Sequence, residues 1–545
     1  MAQRPTNDRF GFFPEGQHPP NLREVFGVDG SRRRFLISVG FGAACVLLGS
    51  RRVDQGSALP MQRGDGQVQG PITETAGSPP GSAIAEAGEP PVVDDDHFFD
   101  TVIVGGRVID PETGFDQRAN IGIDEGKIAR IVSSPLRGEN VVVADNKVVA
   151  PGFIDLLSYE PNSFGVRLKV LDGVTTNLAM HGVSNYGTDF FEGYEGQTAI
   201  NFGAAFHHHF VRGDRLKARP DKPLNPEQLN VLEQEARQGL EQGFAGISFS
   251  PEYSPGTSDS EIDRLAAVAA EAGHVCFFHV RHSGVMPKDR SIAALESAIQ
   301  VAYRFGVAVH IEHITSTGGT AQMDRALGLL ESARNDGADV TACFYPYDYW
   351  GTFVASSRFT DGWQERFNLT YEDLQVAGTD RRLSESTFAA AQRQNLLVAA
   401  TGSIPEGDVR AAFGRSWTIV ASDGITTTSL NNHPRGAGTF ARTLGVYVRD
   451  LKVIDLVSAL AKMTVLPAKR VESMIPEMAR KGRLQPGCDA DIVVFDPATI
   501  SDNATVRHPG VPSVGMSMVL VGGVPVVADG EVVNGALPGK ALRSA

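Results

Sequence analysis

The chain is 545 residues long, carries 50 lysines and arginines against 64 aspartates and glutamates, and has a formal charge of -14 at neutral pH with 42% apolar residues. That length and composition suit one large α/β domain with smaller modules and an ample core. The acidic balance argues against a surface for nucleic acid or anionic membranes, which select clustered lysine and arginine, and leaves a small molecule as the expected partner.

Residues 1–58 read as an export signal. Ser31-Arg32-Arg33-Arg34-Phe35-Leu36 precedes an apolar stretch that ends near Leu48, the layout of a twin-arginine signal. The stretch is well short of the roughly 20 residues that span a bilayer, so no stable membrane span is expected after processing. Cys45 follows Gly42-Ala43-Ala44 and lacks the large apolar residue of a lipidation site. Residues 59–97 are rich in Gly, Pro, Ala and acidic side chains without periodicity, and read as a disordered tether. The expected partner of this region is the twin-arginine export machinery, and the expected location is periplasmic or exported.

Residues 98–149 alternate short strand runs with turn signals such as Gly105-Gly106, Pro111-Glu112-Thr113-Gly114 and Glu125-Gly126. A matching set, with Gly522-Gly523 and Asp529-Gly530 as its turns, occupies residues 476–545. These two segments predict one small β-sandwich domain built from both chain ends.

Between them, in residues 150–475, apolar strand runs at 152–155, 175–180, 199–206, 245–249, 275–278, 307–311, 340–345 and 417–422 alternate with helical segments. Asn225-Pro226 and Ser258 open helices, and Gly306 closes one. Eight βα units predict a (β/α)8 TIM-type barrel, whose active site lies at the C-terminal ends of its strands. The stretch near 350–415 exceeds a normal connection and predicts an inserted helical lid or subdomain. Cys276 and Cys343 fall inside strand runs and read as core residues.

On that barrel His181 follows the second strand, His207-His208-His209 the third, His279 the fifth, His313 the sixth and Asp423 the eighth. All then face one mouth. A lone histidine after an apolar run is more often a packed residue, but several on one rim suit Zn2+, which in catalytic sites takes three protein ligands and keeps an open position. The first strand departs from this pattern, because it continues as Leu156-Leu157-Ser158-Tyr159 without a ligand type.

The motifs Ala150-Pro151-Gly152-Phe153-Ile154-Asp155, Gly173-Val174-Thr175-Thr176, Tyr253-Ser254-Pro255-Gly256, Phe278-His279-Val280-Arg281, Tyr345-Pro346-Tyr347, Ser422-Asp423-Gly424, His433-Pro434-Arg435 and Lys462-Met463-Thr464 together resemble the D-aminoacylases. These are N-acyl-D-amino-acid deacylases of the amidohydrolase superfamily, and the resemblance runs from about residue 99 to 530. It implies a zinc-dependent hydrolase that cleaves the acyl amide of an N-acyl-D-amino acid, with N-acyl-D-glutamate as one substrate. The implied metal ligands are His279, His313 and, where the family has a cysteine, His181; Asp423 is the implied proton shuttle. Leu157 and Tyr159 stand where the family carries a His-x-His pair, so one zinc per chain is expected, with Glu252 or a residue of 207–209 as alternatives for completing the site. Replacing thiolate by imidazole would add one net positive charge at the metal. Arg435, Tyr253, Tyr347 and Arg281 are the expected substrate contacts, with His282 and Arg212 as further cations. Thr315 replaces a lysine usual in the family, so that contact is absent or supplied elsewhere. The alternatives are a cyclic-amide hydrolase of hydantoinase or dihydroorotase type, a dipeptide hydrolase, or a catalytically inactive ligand-binding homologue.

Overall fold

The computed structural model describes residues 96–183, 187–426 and 431–545. The expected export signal and nearly all of the tether lie outside the described residues. No helix among the described residues is long and apolar enough to cross a membrane.

The two chain ends join in one nine-stranded sheet. The join is the antiparallel pairing of Val148–Pro151 with Ile492–Phe495, in register from Val148 opposite Phe495 to Pro151 opposite Ile492. Buried side chains from both ends, among them Ile103, Ile121, Ile128, Ile492 and Leu520, form its common apolar cluster. Gly152 links this sheet to the barrel. A Cβ there would lie 2.2 Å from the Thr175 hydroxyl oxygen, so only glycine lets the chain pass.

The barrel strands run in chain order: Phe153–Asp155, Val174–Ala179, a third strand in two pieces (Asn201–Ala204 and Phe206–His207), Ile247–Phe249, Val275–Phe278, Ala308–Ile311, Val340–Phe344 and Thr418–Val420. Every pairing between neighbours is parallel. The third strand is broken at Ala205, its first piece pairing with the second strand and its second piece with the fourth. Burial of Val, Ile, Phe and Ala on both faces matches the near-continuous apolar runs of the sequence. Cys276 and Cys343 are buried and unpaired in this core.

The first and eighth strands are joined by side chains as much as by backbone. Asp155 accepts from the Ser422 backbone N–H at 2.8 Å and from its hydroxyl at 2.5 Å. Lys169, on the helix Ser163–Leu171, donates to Asp155 at 2.5 Å and also to Ser158 and Asn177. Just beyond, the Asp423 N–H donates to the Leu157 carbonyl at 2.8 Å, and Ser158 bridges Gly424 in parallel fashion.

The insertion is only partly helical. Its centre is a three-stranded antiparallel sheet of Trp350–Phe353, Leu397–Ala400 and Leu374–Val376, with Leu397–Ala400 in the middle. The helices Trp363–Phe367 and Glu385–Arg393 flank it, and Trp350, Phe359, Trp363, Phe367 and Phe388 pack ring against ring.

Lys169→Met leaves the fully buried Asp155 carboxylate without its cation, and breaking one side of such a pair costs about 3–5 kcal/mol. The variant is expected to show a clearly lower midpoint of thermal unfolding than the parent, followed by circular dichroism.

Candidate metal centre

His181, His279, Glu312 and His313 bring one ligand atom each to within 4.8 Å of one another, and all four are buried. The three histidines come from the ends of the second, fifth and sixth strands. His313 and Asp423 both adopt left-handed backbone, with φ of 29° and 47°. Such conformations cost about 1–3 kcal/mol for residues other than glycine and concentrate at functional sites.

Carboxylates fix two of the imidazoles. His279 Nε2 donates to Glu252 at 2.7 Å, which leaves its Nδ1 facing His313 Nε2 at 3.1 Å. His181 Nδ1 is hydrogen-bonded to Glu312, leaving its Nε2 free. Burial holds all three rings below the ordinary histidine range, with neighbouring charges also acting, so they are neutral at pH 7 and able to ligate.

The donor set fits a zinc ion. Tetrahedral ligands with Zn–N of about 2.0–2.1 Å lie about 3.3–3.4 Å apart, close to the observed His279–His313 spacing. The second nitrogen of His313, Nδ1, is buried without a hydrogen-bond partner. Burial pushes the Glu312 carboxyl well above the usual carboxylate range. A dication beside it favours the ionised form. With such an ion bound, an ionised Glu312 would return to the set the negative charge that a thiolate would have brought.

Two further carboxylates each lie between an imidazole and a guanidinium. Asp423 is 3.9 Å from His313 Nε2 and 2.8 Å from Arg435, and its Oδ1 has no hydrogen-bond partner. Burial raises its pKa, though Arg435 opposes the shift. Glu252 lies 3.6 Å from Arg358. Burial opposes its ionisation, yet the Arg358 charge and hydrogen bonds from His279 and Ser283 take its carboxyl down to about 2.

Arg358 and Arg435 both line a polar cleft over His313 and Asp423, together with Tyr253, Tyr345 and Thr352. Arg358 comes from the insertion, stacks on Trp350 at 4.2 Å and donates to the Ser316 carbonyl at 3.2 Å. Its charge thus reaches the loop in which Thr315 replaces the expected lysine. Arg435 lies 4.8 Å over the Tyr345 ring, and its Nη1 has no hydrogen-bond partner.

Other expected contacts lie elsewhere. Tyr253 does line the cleft, 4.7 Å from the His279 ring and hydrogen-bonded to Thr352 at 3.2 Å. Tyr347 does not: the seventh strand ends at Phe344, the chain turns at Pro346, and Tyr347 packs behind His433 and Arg442. Tyr345 takes the place in the cleft. Arg281 points outward, donating to the Thr257 carbonyl at 2.6 Å and pairing with Asp259. Arg212 is buried on Glu261, which also holds His208. Neither arginine enters the cleft. Leu157 packs with Ile154, Leu178 and Met180 in an apolar cluster, whereas Tyr159 lines the cleft beside His181.

Glu312 and Arg358 escape the sequence reading. The signal for Glu312 is a lone carboxylate between His310-Ile311 and His313, at the end of a run that is apolar apart from His310 and buried apart from Ala308. Arg358 offers only an arginine among aromatic residues of an insertion.

The pattern of the amidohydrolase family matches residues 416–527. The chain is 30% identical over 484 residues to N-acyl-D-glutamate deacylase of Alcaligenes xylosoxydans xylosoxydans, spanning 82% of this chain and 96% of that protein. D-aminoacylase of the same organism is 29% identical over 476 residues, spanning 79% and 95%. Among solved structures, the N-acyl-D-glutamate deacylase of Bordetella bronchiseptica, complexed with zinc and a phosphonate inhibitor that mimics the tetrahedral intermediate, matches with a TM-score of 0.70. Its sequence is 27% identical, and the match covers 82% of this chain and all of that one. With a barrel, a histidine rim and similarity over nearly the whole length of these relatives, the chain belongs to the D-aminoacylase family of the amidohydrolase superfamily, hydrolases of linear amides.

Proposed function

We propose that the chain is a zinc-dependent deacylase of N-acyl-D-amino acids with an acidic side chain, N-acyl-D-glutamate foremost. The observation that carries this reading is the convergence of two buried guanidinium groups, Arg358 and Arg435, on the cleft over His313 and Asp423. A substrate with two carboxylates can meet each of these guanidinium groups with a charge-assisted hydrogen bond. A cyclic amide would leave one of them unmatched. The relatives named N-acyl-D-glutamate deacylase favour the same substrate.

In this reading His181, His279 and His313 hold the metal and Glu312 orients His181, a carboxylate–imidazole arrangement that fixes tautomer and ring position. Held by these residues, a zinc ion would supply an acidified water and an electrophile for the acyl carbonyl. Asp423 takes up the water proton on its partnerless Oδ1 and returns it to the leaving amine. Arg435 holds the other oxygen of Asp423 and uses its free Nη1 for the α-carboxylate, while Arg358 faces the side-chain carboxylate. Tyr253 forms the wall over His279. Twin-arginine export, read from Arg32 and Arg33, assigns this reaction to the periplasm or the exterior.

Purified protein is expected to carry about one zinc per chain and to hydrolyse N-acetyl-D-glutamate but not its L isomer; His313→Ala is expected to lose both metal and turnover. A metal-free, inactive parent would sink the reading. Arg358→Gln removes a charge-assisted contact of about 1.5–3 kcal/mol, so kcat/KM for N-acetyl-D-glutamate should fall roughly ten- to hundredfold. The loss for N-acetyl-D-methionine should be much smaller, and equal losses for the two substrates would contradict the assignment of Arg358.

A further inference from the structure

The helix Ser163–Leu171 carries two buried charges of opposite sign at its end, Lys169 and the residue that caps it, Asp172. Lys169 serves the seam of the barrel through Asp155 and Ser422, the residue before Asp423. Asp172 reaches the other member of the Asp423–Arg435 pair. Its carboxylate accepts from the Phe440 and Ala441 backbone N–H groups, each at 2.9 Å, and from the Ser513 hydroxyl at 2.8 Å. Phe440 and Ala441 belong to the helix Arg435–Arg442, whose first residue is the arginine paired with Asp423.

In an unbroken α-helix the N–H groups of Phe440 and Ala441 point along the axis to the carbonyls of Gly436 and Ala437. Here Asp172 enters from the side, just before the helix passes into the wider turns of Thr443–Asp450. The Ala437 carbonyl accepts from the same Ser513 hydroxyl at 2.9 Å. All three partners of the carboxylate are neutral. Burial pushes its carboxyl up to about 7, against the pull of these hydrogen bonds. Two N–H groups on successive residues lie about 100° apart around a helix axis, so one carboxylate that holds both fixes the rotation and the depth of the helix. The surrounding contact is close. Leu168 packs with Ala437 and Ala504, and a Cβ at Gly165 would lie 2.3 Å from the Thr426 hydroxyl oxygen.

We propose that Asp172 is a positioning residue for the Asp423–Arg435 pair. The helix Ser163–Leu171 holds one member through Lys169 and the other through Asp172, and the two meet at 2.8 Å. Arg435 also donates to the Asp423 carbonyl at 2.7 Å and to the Gly351 carbonyl at 3.2 Å. A turn of its helix moves the Cα of Arg435 and disturbs these contacts together. The assignment rests on the deacylase reading, in which Arg435 Nη1 meets the α-carboxylate and Asp423 carries the proton.

Asp172→Asn keeps one acceptor oxygen and sets an amide N–H against a helix N–H. In the zinc-loaded enzyme its KM for N-acetyl-D-glutamate should rise about tenfold, the loss of one charge-assisted hydrogen bond, with zinc content unchanged. Ser513→Ala, a milder change, should raise KM severalfold. A role in stability alone would lower the folded fraction, and with it kcat per chain, and leave KM at the parental value. Asp110→Asn removes an equally buried carboxylate from the two-ended sheet and serves as the control, with a lower unfolding midpoint and the parental KM expected. Parental KM in both Asp172→Asn and Ser513→Ala, or an equal rise in the control, overturns the positioning role. A crystal structure of Asp172→Asn, or of Ser513→Ala if the first does not fold, decides without turnover. A lengthened Arg435–Asp423 contact supports the role, and a helix that superposes on the parent overturns it. An inactive parent overturns the deacylase reading and leaves the crystal structure to decide on Asp172.

Discussion

The buried contact of Asp155 with Lys169 and Ser422 underlies the geometry of the mouth. It ties the last residue of the first barrel strand to Ser422, two residues beyond the eighth, at the seam where a cylinder of strands must close. Every oxygen of Asp155 is used, and Lys169 spreads its remaining protons over Ser158 and Asn177. A lone charge buried so deeply would be costly, whereas a pair whose other hydrogen bonds are satisfied is tolerated and fixes register. The backbone of Asp423 hangs directly from this seam through the Leu157 carbonyl. The first strand thus serves as a positioning element for the acid of the eighth, although it contributes no ligand-type side chain of its own.

Around the metal cluster, charge is arranged in matched sets. Glu252 lies between His279 and Arg358, and Asp423 between His313 and Arg435. In a low-dielectric pocket each carboxylate is held by two partners, so neither guanidinium stands as an isolated buried cation. The two arginines are then only partly neutralised and keep capacity to bind anions, as the free Nη1 of Arg435 illustrates. Glu312 completes the scheme on the third histidine. Each imidazole of the cluster therefore has a carboxylate neighbour from a different part of the chain or from the adjacent residue.

Much of this was legible in the sequence because parallel barrel strands are buried on both faces and therefore read as apolar runs, whose ends are easy to find. The histidines at 181, 279 and 313 and the aspartate at 423 stand within a few residues of such ends, and they meet. Turn signals likewise marked the sheet made from both chain ends, since Gly and Asp in tight turns are a local property. What escaped depended on long-range packing. Glu312 was hidden by lying between a strand residue and a more conspicuous ligand. Arg358 sits in an insertion whose path no local pattern specifies, and its partners Trp350 and Glu252 are brought to it only by folding. Tyr347 was expected in the cleft, but the strand ends at Phe344 and the structure puts Tyr345 there instead.

The insertion has a consequence for how such a protein can change. Its strands carry Thr352 and Phe353, with Ser356 and Arg358 just beyond, while the clustered histidines 181, 279 and 313 all follow barrel strand ends. The clustered ligand-type side chains and this part of the cleft wall therefore reside on separate stretches of one chain, and loops on a rigid barrel vary more freely than the strands beneath them. Replacement of residues 350–400 as a block would redraw the wall that Trp350, Thr352 and Arg358 contribute to the cleft and leave every residue of the histidine cluster in the sequence, so this part of the cleft can change by exchange of one segment instead of reconstruction of the centre.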